Sequence, residues 1–259
     1  MIEQKIRTFL DTQEGSTSVV VKSLIDDRQF SIDPERVFPS ASTIKLFIMS
    51  ELFRQAKERQ LSLSDTILLN DVSKTGGDGI LKELDSNHDF TLKELCTLMI
   101  IISDNTATNL LIEHLGMNRV NQQISQMGLK SASLQRKMMD LEAVRAGRNN
   151  YISGADFAAI LESIYRGENV DQDSSAQMLD ILKRQQVRGR LDLYLPEDLL
   201  IAHKTGDLDL LEHDGGIVFL DDSPYLICVL TEKVATNKDG REIIGKISRM
   251  VYDYFVEVK

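Results

Sequence analysis

Phe38-Pro39-Ser40-Ala41-Ser42-Thr43-Ile44-Lys45 marks the point where the pattern of the chain turns over. On its N-terminal side, Ser18 to Ile25 is rich in β-branched residues, Asp26-Asp27 is a turn signal, and Gln29 to Ile32 resumes alternation, which predicts a β-hairpin. On its C-terminal side, Leu46, Phe47, Ile48, Met49, Leu52 and Phe53 make a helix over 42–58 that is apolar nearly all round, the mark of a buried helix. Helical periodicity continues over 91–102, 106–115, 118–127, 153–166 and 174–185, with a capping box at Thr91-x-x-Glu94 and stops at Gly116 and Gly128. Strand character returns at Leu199 to Lys204, Gly216 to Leu220 and Tyr225 to Thr231, the last two joined by the turn Asp221-Asp222-Ser223-Pro224. Helices over 1–12 and from about Arg241 to Phe255 close the two ends.

Strands at both ends and helices between them predict an α+β fold, since unpaired edges would be left unless the N-terminal hairpin joins the C-terminal strands in one antiparallel sheet. The terminal helices are expected to cover that sheet. The expected division is a discontinuous sheet lobe, 1–38 with 199–259, and an inserted all-helical lobe, 39–198. A cleft between them is the default place for a site.

The chain has 259 residues, is 42% hydrophobic and carries a net charge of -10, enough to bury a sizeable core without disulfides or metals. The acidic balance, with no run of five or six basic residues, argues against a nucleic-acid partner. The most apolar run, Leu98 to Ile102, is far too short to span a bilayer, which takes roughly 20 residues. Charges at Glu3, Lys5 and Arg7 stand where a secretory signal would be apolar. A chain native from Met1 is therefore expected in the cytoplasm, one trimmed of a leader outside it. Cys96 and Cys228 sit in apolar runs and read as buried small hydrophobes; His88, His114, His203 and His213 lack metal-ligand spacing. Neither a metal nor a cofactor is expected, and a monomer is.

Ser42 and Lys45 are three residues apart at a helix start, on one face. One turn into an apolar core, the lysine is disfavoured as an ammonium and could take the serine's proton, while free N–H groups at the helix start face a developing oxyanion. Alternatively, Ser42 is a cap and the head of Lys45 reaches solvent. Ser103-Asp104-Asn105 interrupts two apolar helices, where short polar residues also serve as caps. Lys204-Thr205-Gly206 ends a strand, with the glycine permitting close backbone approach. A second Lys-Thr-Gly, at Lys74, lies in the glycine-rich loop that runs on to Gly79.

In this order, serine-x-x-lysine, Ser-Asp-Asn and a late Lys-Thr-Gly resemble the penicillin-recognising serine hydrolases, class A β-lactamases and related penicillin-binding proteins in particular. The separations, 61 residues from Ser42 to Ser103 and 101 from Ser103 to Lys204, resemble those of class A and select Lys204 over Lys74. Phe38, Pro39, the run Ser103 to Leu111 and His213 to Val218 match further. The resemblance implies a β-lactamase/transpeptidase-like fold and an acyl-enzyme on Ser42, with Lys45 as proton partner and Ser103 as proton shuttle. It also implies that Asn105 orients Lys45 and the substrate amide, that Lys204 and Thr205 receive the substrate carboxylate, and that the backbone N–H groups of Ser42 and Asp207, beside Gly206, form the oxyanion hole. The implied substrate is a β-lactam or a D-alanyl-D-alanine-like small molecule.

Three departures stand out. The class A Ω-loop carries a glutamate two residues after an arginine, which activates the deacylating water; aligned on Arg136, that place is Met138. Asp140 and Glu142 are the nearby carboxylates that a different loop path could supply as the base. Met49 stands where many class A enzymes have the disulfide partner of the cysteine at Cys96, and the strand around Gly215 lacks the arginine many use for the substrate carboxylate. Slow deacylation is therefore expected, with a D-alanyl-D-alanine peptidase-like or esterase-like hydrolase, or a penicillin-binding sensor without turnover, as alternatives.

Overall fold

The structure, a computed structural model, describes residues 2–257. In chain order the elements are α1 (Ile2–Leu10), β1 (Ser16–Ser23), β2 (Gln29–Ile32), β3 (Val37–Pro39), α2 (Lys45–Lys57), β4 (Thr66–Leu69), β5 (His88–Thr91), α3 (Leu92–Ile101) and α4 (Asn105–Leu115). They continue with α5 (Met117–Gln126), α6 (Leu141–Arg145), β6 (Tyr151–Ser153), α7 (Gly154–Tyr165), α8 (Gln172–Lys183), β7 (Ile201–Leu208), β8 (Leu211–Val218), β9 (Tyr225–Glu232) and α9 (Asn237–Glu257). A 3-10 turn, Ala41–Ile44, leads into α2.

Two compact units divide the chain: residues 1–43, 152–162 and 188–259, and residues 44–151 with 163–187. The first holds a five-stranded sheet of order β2-β1-β9-β8-β7. Every pairing in it is antiparallel, and β1 lies against β9 with Ser16 opposite Glu232. The hairpin thus joins the C-terminal strands. Helices α1 and α9 pack on one face, where Ile6, Ile244, Ile247, Val251 and Phe255 bury against Val19, Val21, Ile227 and Val229. At about 25 cal/mol per Å² of apolar surface removed from water, this is the layer that secures the sheet.

The linear division at 38 and 199 does not describe these units. Residues 152–162 belong with the sheet because Ala155 donates its N–H to Pro34 O at 2.8 Å and Glu162 pairs with Lys22 at 2.7 Å. β7 also continues past Lys204 to Leu208, since a tight turn at Asp209-Leu210 lets β8 pair along its length.

The second unit is built around α2, in which every residue from Lys45 to Phe53 is buried, with α3, α4, α5 and α8 packed around it. The expected capping box closes the start of α3: Glu94 N–H donates to Thr91 Oγ1 at 3.1 Å and Thr91 N–H to Glu94 Oε2 at 2.8 Å. An additional hairpin pairs β4 with β5. Cys96 and Cys228 are both buried, and burial pushes the Cys96 thiol up to about 12.

His213 ties the strand β8 to the segment before Ser42. Its Nε2 lies 2.9 Å from Pro39 O, and its Nδ1 lies 3.3 Å from the Thr231 N–H. Nδ1 also lies 2.8 Å from Glu212 O, and burial, acting against the two carbonyl contacts, lowers the pKa of the ring from 6.5 to about 4. The unfolded chain therefore binds a proton between these values that the folded one refuses. Stability from this group is complete above pH 6.5 and is lost as pH falls toward 4, by about 2 kcal/mol at pH 5. Urea unfolding of wild type and His213→Asn at pH 7 and pH 5 checks this; the variant should lose less, and an equal loss would refute it.

Candidate active site

The second unit positions one group of expected residues. Lys45 is fully buried, and its Nζ donates to Ser103 O at 2.7 Å, Ser103 Oγ at 3.0 Å and Asn105 Oδ1 at 3.0 Å. The reading that carries its head to solvent is thus overturned. Of these three acceptors only the Ser103 hydroxyl can also donate, so the cluster accommodates the lysine as an ammonium or as a neutral amine.

Local structure explains how Ser103 and Asn105 arrive there. Asp104 caps α4 through the Ala107 N–H at 2.8 Å and accepts the Ile80 and Leu81 N–H groups at 2.7 and 2.9 Å. Ser103, between α3 and α4, is left at φ 59°, a conformation that costs a non-glycine residue of order 1 kcal/mol and recurs at functional sites. The cap of α4 and the contacts to Lys45 thus come from three consecutive residues.

The glycine-rich loop supports this cluster. Asn105 Nδ2 donates to Gly76 O at 3.0 Å, and a Cβ on Gly79, at φ 109°, would lie 2.3 Å from the Asp104 carboxylate. The second Lys-Thr-Gly is part of the same scaffold: Lys74 pairs with Asp71 at 3.0 Å, and Thr75 bonds to Thr106 and Asn109.

Asn109, quoted above only as part of a run, grips the backbone of Met138 from both sides. Its Oδ1 accepts the Met138 N–H at 2.8 Å and its Nδ2 donates to Met138 O at 3.1 Å. Asn150 holds the base of the same loop, accepting the Gln135 and Arg136 N–H groups at 2.7 and 3.0 Å. Arg136 bonds Asn149 at 2.9 Å, and its burial lowers its pKa. Met138 is buried. Asp140 caps α6 through the Ala143 N–H at 2.9 Å, and Glu142 is exposed on that helix.

The first unit positions the other group. Ser42 lies in the 3-10 turn, half-buried, after Ala41 at φ 46°. The N-cap of α2 is Ile44, with no side-chain cap. Gly206, on β7, runs against this turn: a Cβ there would stand 3.0 Å from Ser42 N. Lys204 is fully buried, with Nζ donating to Thr205 O at 2.8 Å; Thr205 is buried and the Asp207 side chain is 44% exposed. His203 Nδ1 lies 2.9 Å from Asp214 Oδ1, and Asp214 also accepts the Leu191 N–H at 3.2 Å, which braces β7 on the outer side of Lys204. Among the described residues no group of three or more His, Cys, Asp or Glu could hold a metal ion.

The close approach of Gly206 sets a test. Gly206→Ala should press on Ser42 N and shift the turn by a few tenths of an ångström, slowing covalent adduct formation at Ser42 by up to about tenfold. Stopped-flow adduct formation measures this, and an unchanged rate would show that the contact is dispensable.

A profile of the β-lactamase enzyme family matches residues 1–255. A β-lactamase from Bacteroides uniformis is 23% identical, with 97% of this chain and 90% of that protein covered. Among solved structures, a β-lactamase from Sphaerobacter thermophilus is 28% identical with a TM-score of 0.90, covering 100% of this chain and 98% of that one. PBP-A, in a leucine-to-glutamate variant caught as an acyl-enzyme with penicillin G, is also 28% identical with a TM-score of 0.90, over 99% of this chain and 96% of that one.

Proposed function

The chain belongs to the β-lactamase enzyme family, and from that premise we propose that Ser42 is the acylated nucleophile of a hydrolase that opens the β-lactam amide. The observation that carries this reading is Lys45, buried and bonded to both Ser103 and Asn105, one helical turn after Ser42. Ser42 Oγ attacks the lactam carbonyl carbon while Lys45, as the neutral amine, takes the hydroxyl proton. The C–N bond breaks, and the proton passes from Lys45 through Ser103 to the leaving nitrogen. An ester on Ser42 remains, which water hydrolyses. The backbone N–H groups of Ser42 and Asp207 receive the oxyanion, a pairing supported by the approach of Gly206 to Ser42 N. Lys204 and Thr205 receive the substrate carboxylate, and Asn105 orients the substrate amide. No described helix is long and apolar enough to cross a membrane; with a net charge of -10, the protein acts as a monomer on small molecules rather than on nucleic acid.

Met138 favours a second reading of the rate. A thioether accepts no proton from water, so deacylation is the slow step and the protein sits toward the penicillin-binding end of its family, where D-alanyl-D-alanine peptidase-like or esterase-like substrates are turned over slowly. PBP-A, in its leucine-to-glutamate variant, is an acyl-enzyme complex with penicillin G, which supports acylation by a β-lactam. Intact-protein mass spectrometry with a chromogenic cephalosporin, run beside product release, tests both. An adduct on Ser42 with continuing release supports the hydrolase, and a stoichiometric burst alone supports a penicillin-binding sensor without turnover. No adduct and no release with any β-lactam or acyl ester would sink both.

A further inference from the structure

Asp207 directly follows Lys204-Thr205-Gly206, and its carboxylate accepts a 2.8 Å hydrogen bond from Nη2 of Arg190. Arg190 is itself 4% exposed and donates through Nε to Glu212 Oε2 at 2.6 Å. Glu212, opposite Asp207 on β8, is 1% exposed, accepts from Asn237 Nδ2 at 3.0 Å, and has Arg241 Nη1 at 3.4 Å. The two carboxylates on Arg190 are therefore unequal. Removing Arg190 would leave the buried Glu212 with Asn237 and only the longer 3.4 Å contact to Arg241, so that pair is structural. The Asp207 side chain is 44% exposed, against 5% for that of Arg190, so of the two carboxylates Asp207 is the one open to solvent.

Alternation along β7 puts Thr205 and Asp207 on the same face, about 7 Å apart. The Asp207 carboxylate thus stands on the same face as the hydroxyl assigned to the substrate carboxylate, and it holds Arg190, a buried arginine of the segment before β7. We propose that Asp207 is a specificity-determining residue: its side chain occupies Arg190 in place of a substrate anion and lowers affinity for anionic substrates relative to uncharged ones. The inference rests on the Thr205 assignment above. Repulsion between like charges at that separation amounts to about five- to tenfold in binding.

The test uses the Ser42→Ala protein, which binds without acylation, titrated calorimetrically with penicillin G and with its uncharged methyl ester. Adding Asp207→Asn, which keeps an acceptor for Arg190, should tighten penicillin G about five- to tenfold, less so at high salt, and leave the methyl ester within about twofold. Asp207→Ser, checked for an unchanged thermal midpoint, should give the same difference between the ligands. An equal response of the two ligands in both variants, including no response, overturns the proposal. Adduct formation on Ser42 in the unaltered protein reports separately on the acyl-enzyme reading, so failure of one is distinguishable from failure of the other.

Discussion

Replacing Ser42 by alanine abolishes the covalent adduct with penicillin G, and replacing Lys45 by methionine slows its formation by on the order of 10³- to 10⁴-fold. The serine supplies the only oxygen proposed to become acylated, so its effect is complete. The lysine is the proposed proton acceptor, a role typically worth about 10² to 10⁴ in rate, and it also holds Ser103, the proposed next station for the proton. Loss of Lys45 leaves Asn105 Oδ1 and Ser103 O without the hydrogen bonds it donates to them, which costs about 1–3 kcal/mol for each buried acceptor left unpaired. The thermal midpoint should therefore fall for Lys45→Met. Quenched-flow mass spectrometry gives the rates. Acylation persisting at the wild-type rate in either variant would remove that residue from the chemistry.

Met138→Glu should hasten decay of the adduct by on the order of 10²-fold with little change in its formation. Asn109 grips the backbone of residue 138 through both its N–H and its carbonyl, so a new carboxylate would grow from a fixed Cα on a loop that is pinned at its base by Asn150. Its role would be to take a proton from the deacylating water, worth about 10² or more in rate. Asp140 already spends an oxygen on the cap of α6, and Glu142 is exposed on that helix. Asp140→Asn and Glu142→Gln are therefore expected to leave decay within about twofold. A slowed decay in either would identify it as the native base, and an unchanged decay in Met138→Glu would mean that position 138 does not reach the ester.

The hairpin, the three C-terminal strands and the main helices were legible because each carries its own period and punctuation: β-branched alternation in β1, the box at Thr91 and Glu94, glycine after α4 and α5. Ser42, Lys45, Ser103 and Lys204 were legible as residue types at fixed separations. What escaped depends on contacts between segments distant in sequence. β4 and β5 are four residues each, and His88 and Asp89 give no apolar alternation. Asn109 and Asn150 are amides whose importance lies in which backbone groups they meet, and composition carries no trace of that. The glycines after Thr75 were visible as a loop, yet their purpose becomes clear only beside the side chains of Asp104 and Asn105. The assignment of 152–162 to the sheet unit likewise rests on Pro34 and Lys22, more than a hundred residues earlier.

The pairing of β1 with β9 bears on how the protein is made. Ser16 waits for Glu232, and the chain passes between its two units four times, after residues 43, 151, 162 and 187. At the usual 5–20 residues per second, the first strand leaves the ribosome at least ten seconds before its partner is synthesised. Helices α2 to α5 can pack during that interval, while the hairpin carries an open edge that favours self-association. The sheet closes only once β7 to β9 are made, so the β7 strand meets the Ser42 turn long after that turn has left the ribosome. A nascent chain released before β9 would leave β1 unpaired and prone to aggregate, which makes the yield sensitive to translation speed over residues 201–232.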